Sequence, residues 1–159
     1  MRFGIRPPLA TGLLLAGLGL LLFARAPVDG TFVVDVLPSM ILLGMGAGIA
    51  FNPVLLAAMG DVEPSEAGLA SGIVNTSFMM GGALGLAVLA SLAASRTDTL
   101  AAAGDDELTA LTGGYHLAFL VGAIFAIAAA AIGAALLRPS PMGAAQHAEH
   151  GAEAQAEPV

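Results

Sequence analysis

The sequence predicts an all-α, polytopic membrane protein with four transmembrane helices, and three observations support this prediction. Of the 159 residues, 57% are hydrophobic and only 11% are charged, whereas about a quarter of a soluble domain is charged. The mean hydropathy is +0.88. The apolar residues form four stretches without strand-like alternation, each near the roughly 20 residues that a helix needs to cross a bilayer. Lipid is therefore the expected solvent of this chain.

The four predicted transmembrane helices lie within one membrane region, residues 9–138, and the segments between them carry charged and turn-forming residues that hydrocarbon rejects. Residues 1–8 are expected to form a cytoplasmic stub. Residues 139–159 lack apolar periodicity, so we expect a disordered cytoplasmic tail. The predicted helices are 9–24, 33–59, 67–94 and 116–137.

The distribution of the five arginines, three on one side and two on the other, favours one orientation in the membrane. The positive-inside rule favours the side with more arginines as cytoplasmic, which places both termini there in a multi-pass cell-membrane protein. A cleaved secretory signal competes for the first apolar stretch, because Ala24-Arg25-Ala26 is similar to a cleavage site. The arginine within that site and three further apolar stretches favour an uncleaved helix. The arginines on the two sides are Arg2, Arg6 and Arg138 against Arg25 and Arg96.

Polar side chains within the predicted membrane region are concentrated in the second and third helices. An amide in hydrocarbon needs a hydrogen-bond partner, so Asn52 and Asn75 are expected to face a bundle interior or an aqueous cavity. The proline after Asn52 is either a structural kink or a gating hinge. The first and fourth helices can face lipid. The predicted transport path consists of Asn52, Pro53, Ser71, Asn75, Thr76 and Met79.

Glycines recur at a spacing of four residues in the second and third helices, which is typical of close helix packing in membranes. A phosphate-binding loop is a poor interpretation of the glycines of the second helix, because no strand precedes them. The predicted packing glycines are Gly44, Gly48, Gly68, Gly72, Gly81 and Gly85.

Several functions are disfavoured by what the sequence lacks. It contains no cysteine, and no nucleophile, paired carboxylates or ligand cluster suggests catalysis or metal binding. We therefore predict no enzyme, no cofactor, no metal site and no nucleic-acid partner. No ionisable side chain lies at mid-membrane depth in the predicted helices, so the chain lacks the group that normally couples transport to protons.

The third helix carries a resemblance to a known family. Its sequence EAGLASGIVNTSFMMGGALGLAV, residues 66–88, resembles the penultimate helix of fourteen-helix drug:proton antiporters of the major facilitator superfamily. Pro38, the glycines of residues 44–48 and Phe51-Asn52-Pro53 are similar to the preceding helix. Residues 2–6 resemble the end of the arginine-rich cytoplasmic loop before it. The resemblance covers residues 1–138.

The resemblance implies that these are the last four helices of a transporter whose second and third helices line the central cavity. Such proteins exchange protons for lipophilic compounds, with the coupling acids chiefly in the amino-terminal half. The expected product is then a carboxyl-terminal fragment that does not transport alone, whose partners are the bilayer, a small lipophilic substrate and, through the missing amino-terminal part, protons. The alternatives are a non-transporting membrane subunit and a small four-helix dimeric exporter, although the latter needs a glutamate that the first helix lacks.

Overall fold

The computed structural model describes residues 6–60 and 62–136, and the regular elements within those ranges are all helical. A π-helical turn, Phe32–Val36, leads directly into the second long helix, and a 3-10 turn, Pro64–Glu66, leads into the third. The predicted all-α class and the count of four long helices are confirmed. These helices are α1 (Arg6–Phe23), α2 (Leu37–Met59), α3 (Ala67–Ala102) and α4 (Glu107–Leu136).

Within the part of the chain that the structure describes, three helical segments are long and apolar enough to cross a membrane, and they cover α2, α3 and all but the last residue of α4. The remaining helix, α1, is apolar but has only 18 residues. At 1.5 Å per residue it is about 27 Å long, close to the roughly 30 Å of a hydrocarbon core. Much of the predicted stub and tail, together with Arg2 and Arg138, lies outside the described residues.

The helices pack in an order that differs from their order in the chain. α1 packs against both α2 and α4, and α4 packs against α3, whereas α2 and α3 make few contacts with each other. The order in space is therefore α2, α1, α4, α3. This order leaves α2 and α3 packed extensively against one neighbour each, and these two helices touch each other only over a small area.

The contact between α1 and α2 is built on small residues. A methyl group added at Gly12 would lie 2.7 Å from both the Ala50 nitrogen and the Gly46 carbonyl oxygen, which is too close for any side chain. A methyl group at Gly46 would likewise collide with the backbone of Ala16. The two backbones approach so closely only because neither glycine has a β carbon.

The third helix extends beyond its predicted end at residue 94, and the fourth helix begins before its predicted start at residue 116. The polar segment after Ser95 contains no glycine or proline before Gly104, so nothing in it stops the helix. α3 ends where Gly104 adopts a φ of +101°, a left-handed conformation that favours glycine. The Gly104 N–H donates to Ala101 O at 3.1 Å and the Asp105 N–H to Leu100 O at 3.2 Å, which closes the helix end.

The start of α4 is fixed by Asp106. One oxygen of its carboxylate accepts a 2.6 Å hydrogen bond from the Thr109 hydroxyl, and the other accepts from the Thr109 N–H at 3.2 Å. These bonds lower the pKa of Asp106 below its ordinary value of 3.8, and the hydroxyl bond contributes most. The connection between α3 and α4 is thus the short segment 103–106 and not a long polar loop.

Candidate functional site

The candidate site is the surface on which α2 and α3 approach each other, called here the open face. The two helices meet where the rings of Phe51 and Phe78 lie 5.9 Å apart, centroid to centroid, at an interplanar angle of 39°. Both rings remain exposed, 58% for Phe51 and 45% for Phe78. The contact is thus an aromatic bridge across a surface that no other described helix covers.

On α2, Asn52 follows directly after the aromatic bridge and is exposed. Successive helical residues are turned by about 100°, so Asn52 points well away from the face that packs on α1. Pro53 is buried and lies seven residues beyond Gly46, on the face toward α1. The structure therefore separates these two predicted path residues, with the amide on the open side and the proline ring on the packed side.

On α3, the polar residues form a stripe toward the aromatic bridge. Ser71, Asn75 and Phe78 are spaced four and three residues apart and so share one face, and all three are exposed. Met79 lies next to this stripe and is 70% exposed. The Thr76 hydroxyl donates to the carbonyl oxygen of Gly72, at 2.8 Å, so it satisfies its own hydrogen-bonding need within the helix.

The six predicted packing glycines do not pack within the described residues. A methyl group added at any of them would meet no atom within 4 Å, and all six are exposed. The close contacts occur instead at Gly12, Gly19 and Gly46, and between α3 and α4 at Gly114. The exposed six are Gly44, Gly48, Gly68, Gly72, Gly81 and Gly85.

Sequence reasoning missed the glycines of the α1 contact and the aromatic bridge, although both left signals. Gly12 and Ala16, like Gly46 and Ala50, have the same small-residue spacing as the predicted glycines. Phe78 lies three residues beyond Asn75, so its place on the polar stripe follows from helical periodicity.

No charged side chain contributes to the open face among the described residues, since the acids and arginines lie in connections or near helix ends. Asp35 illustrates this pattern, because it accepts a 2.8 Å hydrogen bond from the Thr31 N–H in the turn before α2. Within the described ranges, no group of three or more histidine or acidic side chains could hold a metal ion. The open face thus offers amide, hydroxyl, thioether and aromatic groups, which suit a neutral or apolar solute.

A second feature lies at the opposite end of α3, between α1, α3 and α4. It is a cavity of about 660 Å³, lined by leucines of α1 and α4 together with Arg25, Arg96 and His116. It shares no residue with the open face.

Comparison with known proteins decides the family. The Major Facilitator Superfamily model matches residues 1–158. The chain belongs to this superfamily. This family is one of membrane transporters, so the predictions of an integral membrane protein that is not an enzyme are confirmed.

The relatives are proteins of drug resistance and export. The chain is 34% identical over 120 residues to the puromycin resistance protein pur8 of Streptomyces alboniger, covering 70% of the chain and 24% of that protein. It is 31% identical over 138 residues to the cephamycin export protein CmcT of Amycolatopsis lactamdurans, covering 85% and 27%. A lincomycin resistance protein of Streptomyces lincolnensis is 37% identical over 92 residues, covering 57% and 19%.

These relatives confirm the resemblance to drug antiporters of the superfamily. The chain spans about a quarter of the length of the first two curated relatives that it matches. No solved structure matches it.

Proposed function

We propose that this chain forms the carboxyl-terminal four helices of a proton-coupled exporter of antibiotics or other lipophilic compounds, and that it transports only together with further helices. The open face carries this proposal. It exposes two amides and a hydroxyl on helices whose length and hydropathy suit a bilayer. Relatives about four times as long, named for drug resistance and export, support the same conclusion.

The exposed amides supply the physical reason. In hydrocarbon, a side-chain amide without a partner is costly, and bonds between membrane helices recover about 1–2 kcal/mol. Asn52 and Asn75 therefore need protein or water beside them. We assign the open face to the transport path, with Asn52, Ser71, Asn75 and Met79 directed into it.

Pro53 and Thr76 take different roles in this proposal. Pro53 lacks the N–H that would bond to the Ile49 carbonyl, so it permits α2 to bend while its ring stays packed toward α1. The Thr76 hydroxyl donates a hydrogen bond to a carbonyl oxygen of its own helix, so Thr76 contributes mainly its methyl group to the path. We therefore assign Pro53 as a hinge and Thr76 as an apolar part of the lining.

The six exposed glycines fit the same arrangement. Each leaves a strip of bare helix with space for another backbone to approach closely. We propose that further helices of the longer transporter pack there. The coupling acids would lie in those helices, because no charged group of the described residues lies on the open face. Both termini would be cytoplasmic.

A chimera tests the proposal. The matching 120-residue segment of the puromycin resistance protein is replaced by this chain, and puromycin resistance of a sensitive host is measured. Membrane insertion is verified by an epitope tag. The chimera is expected to confer resistance that collapses with a protonophore, whereas the chain alone confers none. An inserted chimera that confers no resistance would contradict the assignment to transport.

The chain expressed alone distinguishes the other candidates. Resistance from the isolated chain would replace the proposal with a small exporter acting as an oligomer. An inserted chimera without activity, combined with recovery of the chain bound to one fixed partner, would favour a non-transporting subunit.

A further inference from the structure

The cavity between α1, α3 and α4 is organised along the direction of the helices. Arg25 follows the end of α1 and Arg96 lies near the end of α3, so both guanidinium groups belong to one end of the bundle. Leu18 lies seven residues before Arg25, which corresponds to about 10 Å along a helix. The cavity therefore has a cationic end at the level of the helix termini and an apolar end about 10 Å deeper.

The apolar end is formed by leucines from two helices. Leu18 and Leu22 come from α1, and Leu117 and Leu120 come from α4. Leu18 is 53% exposed and Leu120 is 44% exposed, so this wall is open to a ligand. No carboxylate is among the described residues that line the cavity. The cavity therefore carries positive charge at one end, and leucine side chains form its deeper end.

Contacts between α1 and α4 hold the cationic end in place. The rings of Phe23 and Phe119 stack with centroids 5.0 Å apart, which ties the last turn of α1 to α4. Beyond that turn, His116 Nε2 lies 2.8 Å from the carbonyl oxygen of Ala26, the residue after Arg25. The backbone on both sides of Arg25 is thus fixed, and less backbone freedom is lost when the arginine binds a ligand.

We propose that this cavity is a binding site for an anionic glycerophospholipid of the surrounding bilayer. The phosphodiester would lie between Arg25 and Arg96, and an acyl chain would follow the leucines toward the membrane centre. Arginine matches phosphate geometry through paired N–H donors. With both termini cytoplasmic, as proposed above, Arg25 and Arg96 lie on the outer side, so the lipid belongs to the outer leaflet. The apolar floor adds contact that a free phosphate ion cannot use. This site is separate from the transport path and does not require transport activity.

Lipid competition on the full chain tests this proposal. The purified 159-residue protein in detergent is titrated with phosphatidylglycerol and with phosphatidylcholine of identical acyl chains, and bound lipid is counted by native mass spectrometry. Two arginines near the surface are expected to favour phosphatidylglycerol on the order of tenfold. Inorganic phosphate at equal concentration is expected not to displace it.

Charge variants locate the headgroup. The double variant Arg25→Gln/Arg96→Gln is expected to bind both lipids equally, whereas Arg25→Lys/Arg96→Lys keeps part of the preference, because the charges remain but the paired N–H donors are lost. Helical content measured by circular dichroism verifies that each variant is folded. A preference for phosphatidylglycerol that survives the glutamine pair would overturn the proposal, as would equal binding by the unaltered chain.

A matched leucine pair locates the acyl chain. Leu22 lines the cavity and Leu14, on the same helix, does not, although both are partly exposed, 39% and 46%. Leu22→Ala is expected to weaken binding of both lipids roughly threefold through lost apolar contact. Leu14→Ala is expected to have no effect on either lipid. Equal effects of the two substitutions would contradict a chain bound along this wall.

Discussion

The two faces of α2 differ in how their small residues are used. On the face toward α1, Gly46 and Ala50 bring two backbones into direct contact, and Ser39 is the one polar residue among the buried residues described for α2. On the face toward α3, Gly44 and Gly48 meet nothing within 4 Å, and Asn52 lies exposed nearby. Thus α2 has one face that is closely packed on α1, called here the completed interface, and one face whose glycines have free space among the described residues.

The difference shows that glycine spacing alone does not identify a helix partner. Both faces of α2 carry small residues four apart, yet within the described residues only those toward α1 contact a neighbouring helix. The polar side chains separate the two faces, because an amide is absent from the completed contact and present on the open one.

The largest effect is expected from filling the completed interface. Gly46→Leu would drive a side chain into the backbone of α1, where nothing flexible can yield. We expect the free energy of unfolding to fall by about 3 kcal/mol or more, toward the upper end of overpacking effects. Unfolding of the purified chain in micelles, followed by circular dichroism, measures the loss.

The matched control is Gly48→Leu, two residues away on the open side. Its side chain has free space, so the stability of the isolated chain is expected to change by less than about 0.5 kcal/mol. If both leucines destabilise the chain equally, the contrast between the two faces is wrong.

The next effect concerns transport by the chimera. Asn75→Leu is expected to lower puromycin resistance about tenfold, which corresponds to one lost hydrogen bond of about 1.4 kcal/mol. Stability of the isolated chain should be preserved, because Asn75 is exposed.

Thr76→Val is the control for this substitution. The Thr76 hydroxyl bonds only within its own helix, so its removal is expected to leave resistance within about twofold. If the chimera with Asn75→Leu retains full resistance, the Asn75 amide is not part of the transport path.

A smaller effect is expected at the aromatic bridge. Phe51→Ala and Phe78→Ala each remove one ring, and the double variant completes a thermodynamic cycle. We expect a coupling energy of about 0.5–1.5 kcal/mol, typical of aromatic pairs. Unfolding of the four proteins in micelles provides this value. Additive effects of the two substitutions would mean that the contact between the two rings does not stabilise the packing of α2 against α3.

The smallest effect is expected away from both faces, at the start of α4. The pKa of Asp106 is lowered in the folded chain by its bonds from Thr109, so this cap stabilises α4 above the ordinary carboxyl range and is lost as pH falls below it. Hydrogen exchange of the Thr109 amide should accelerate there relative to amides at the centre of α4.

The matched variant is Asp106→Asn. Asparagine caps helices nearly as well and does not titrate, so protection at the Thr109 amide should no longer depend on pH. Equal pH dependence in both proteins would show that the cap is not responsible.

Much of the fold was predictable, because hydrophobicity over some 20 residues marks a membrane helix whatever its neighbours are. The end of α3 and the start of α4 could not be predicted, because the polar residues after Ser95 are compatible with a helix outside the membrane as well as with a loop. The order of packing was also beyond the sequence, because Gly12 and Gly44 look alike until a partner helix is placed. Asn52 and Asn75 were found because a polar group in an apolar run is conspicuous.

In the proposed transporter, the open face is turned toward water or protein and the outer face of α1 toward lipid. The chain contains no cysteine, so single cysteines can be introduced at Asn75 and at Leu14 without background from its own residues. These variants are made in the chimera, with cysteines of the other part replaced by serine, and treated with a charged, water-soluble thiol reagent. We expect rapid labelling at position 75 and none at position 14. Labelling at position 14 with none at position 75 would contradict it.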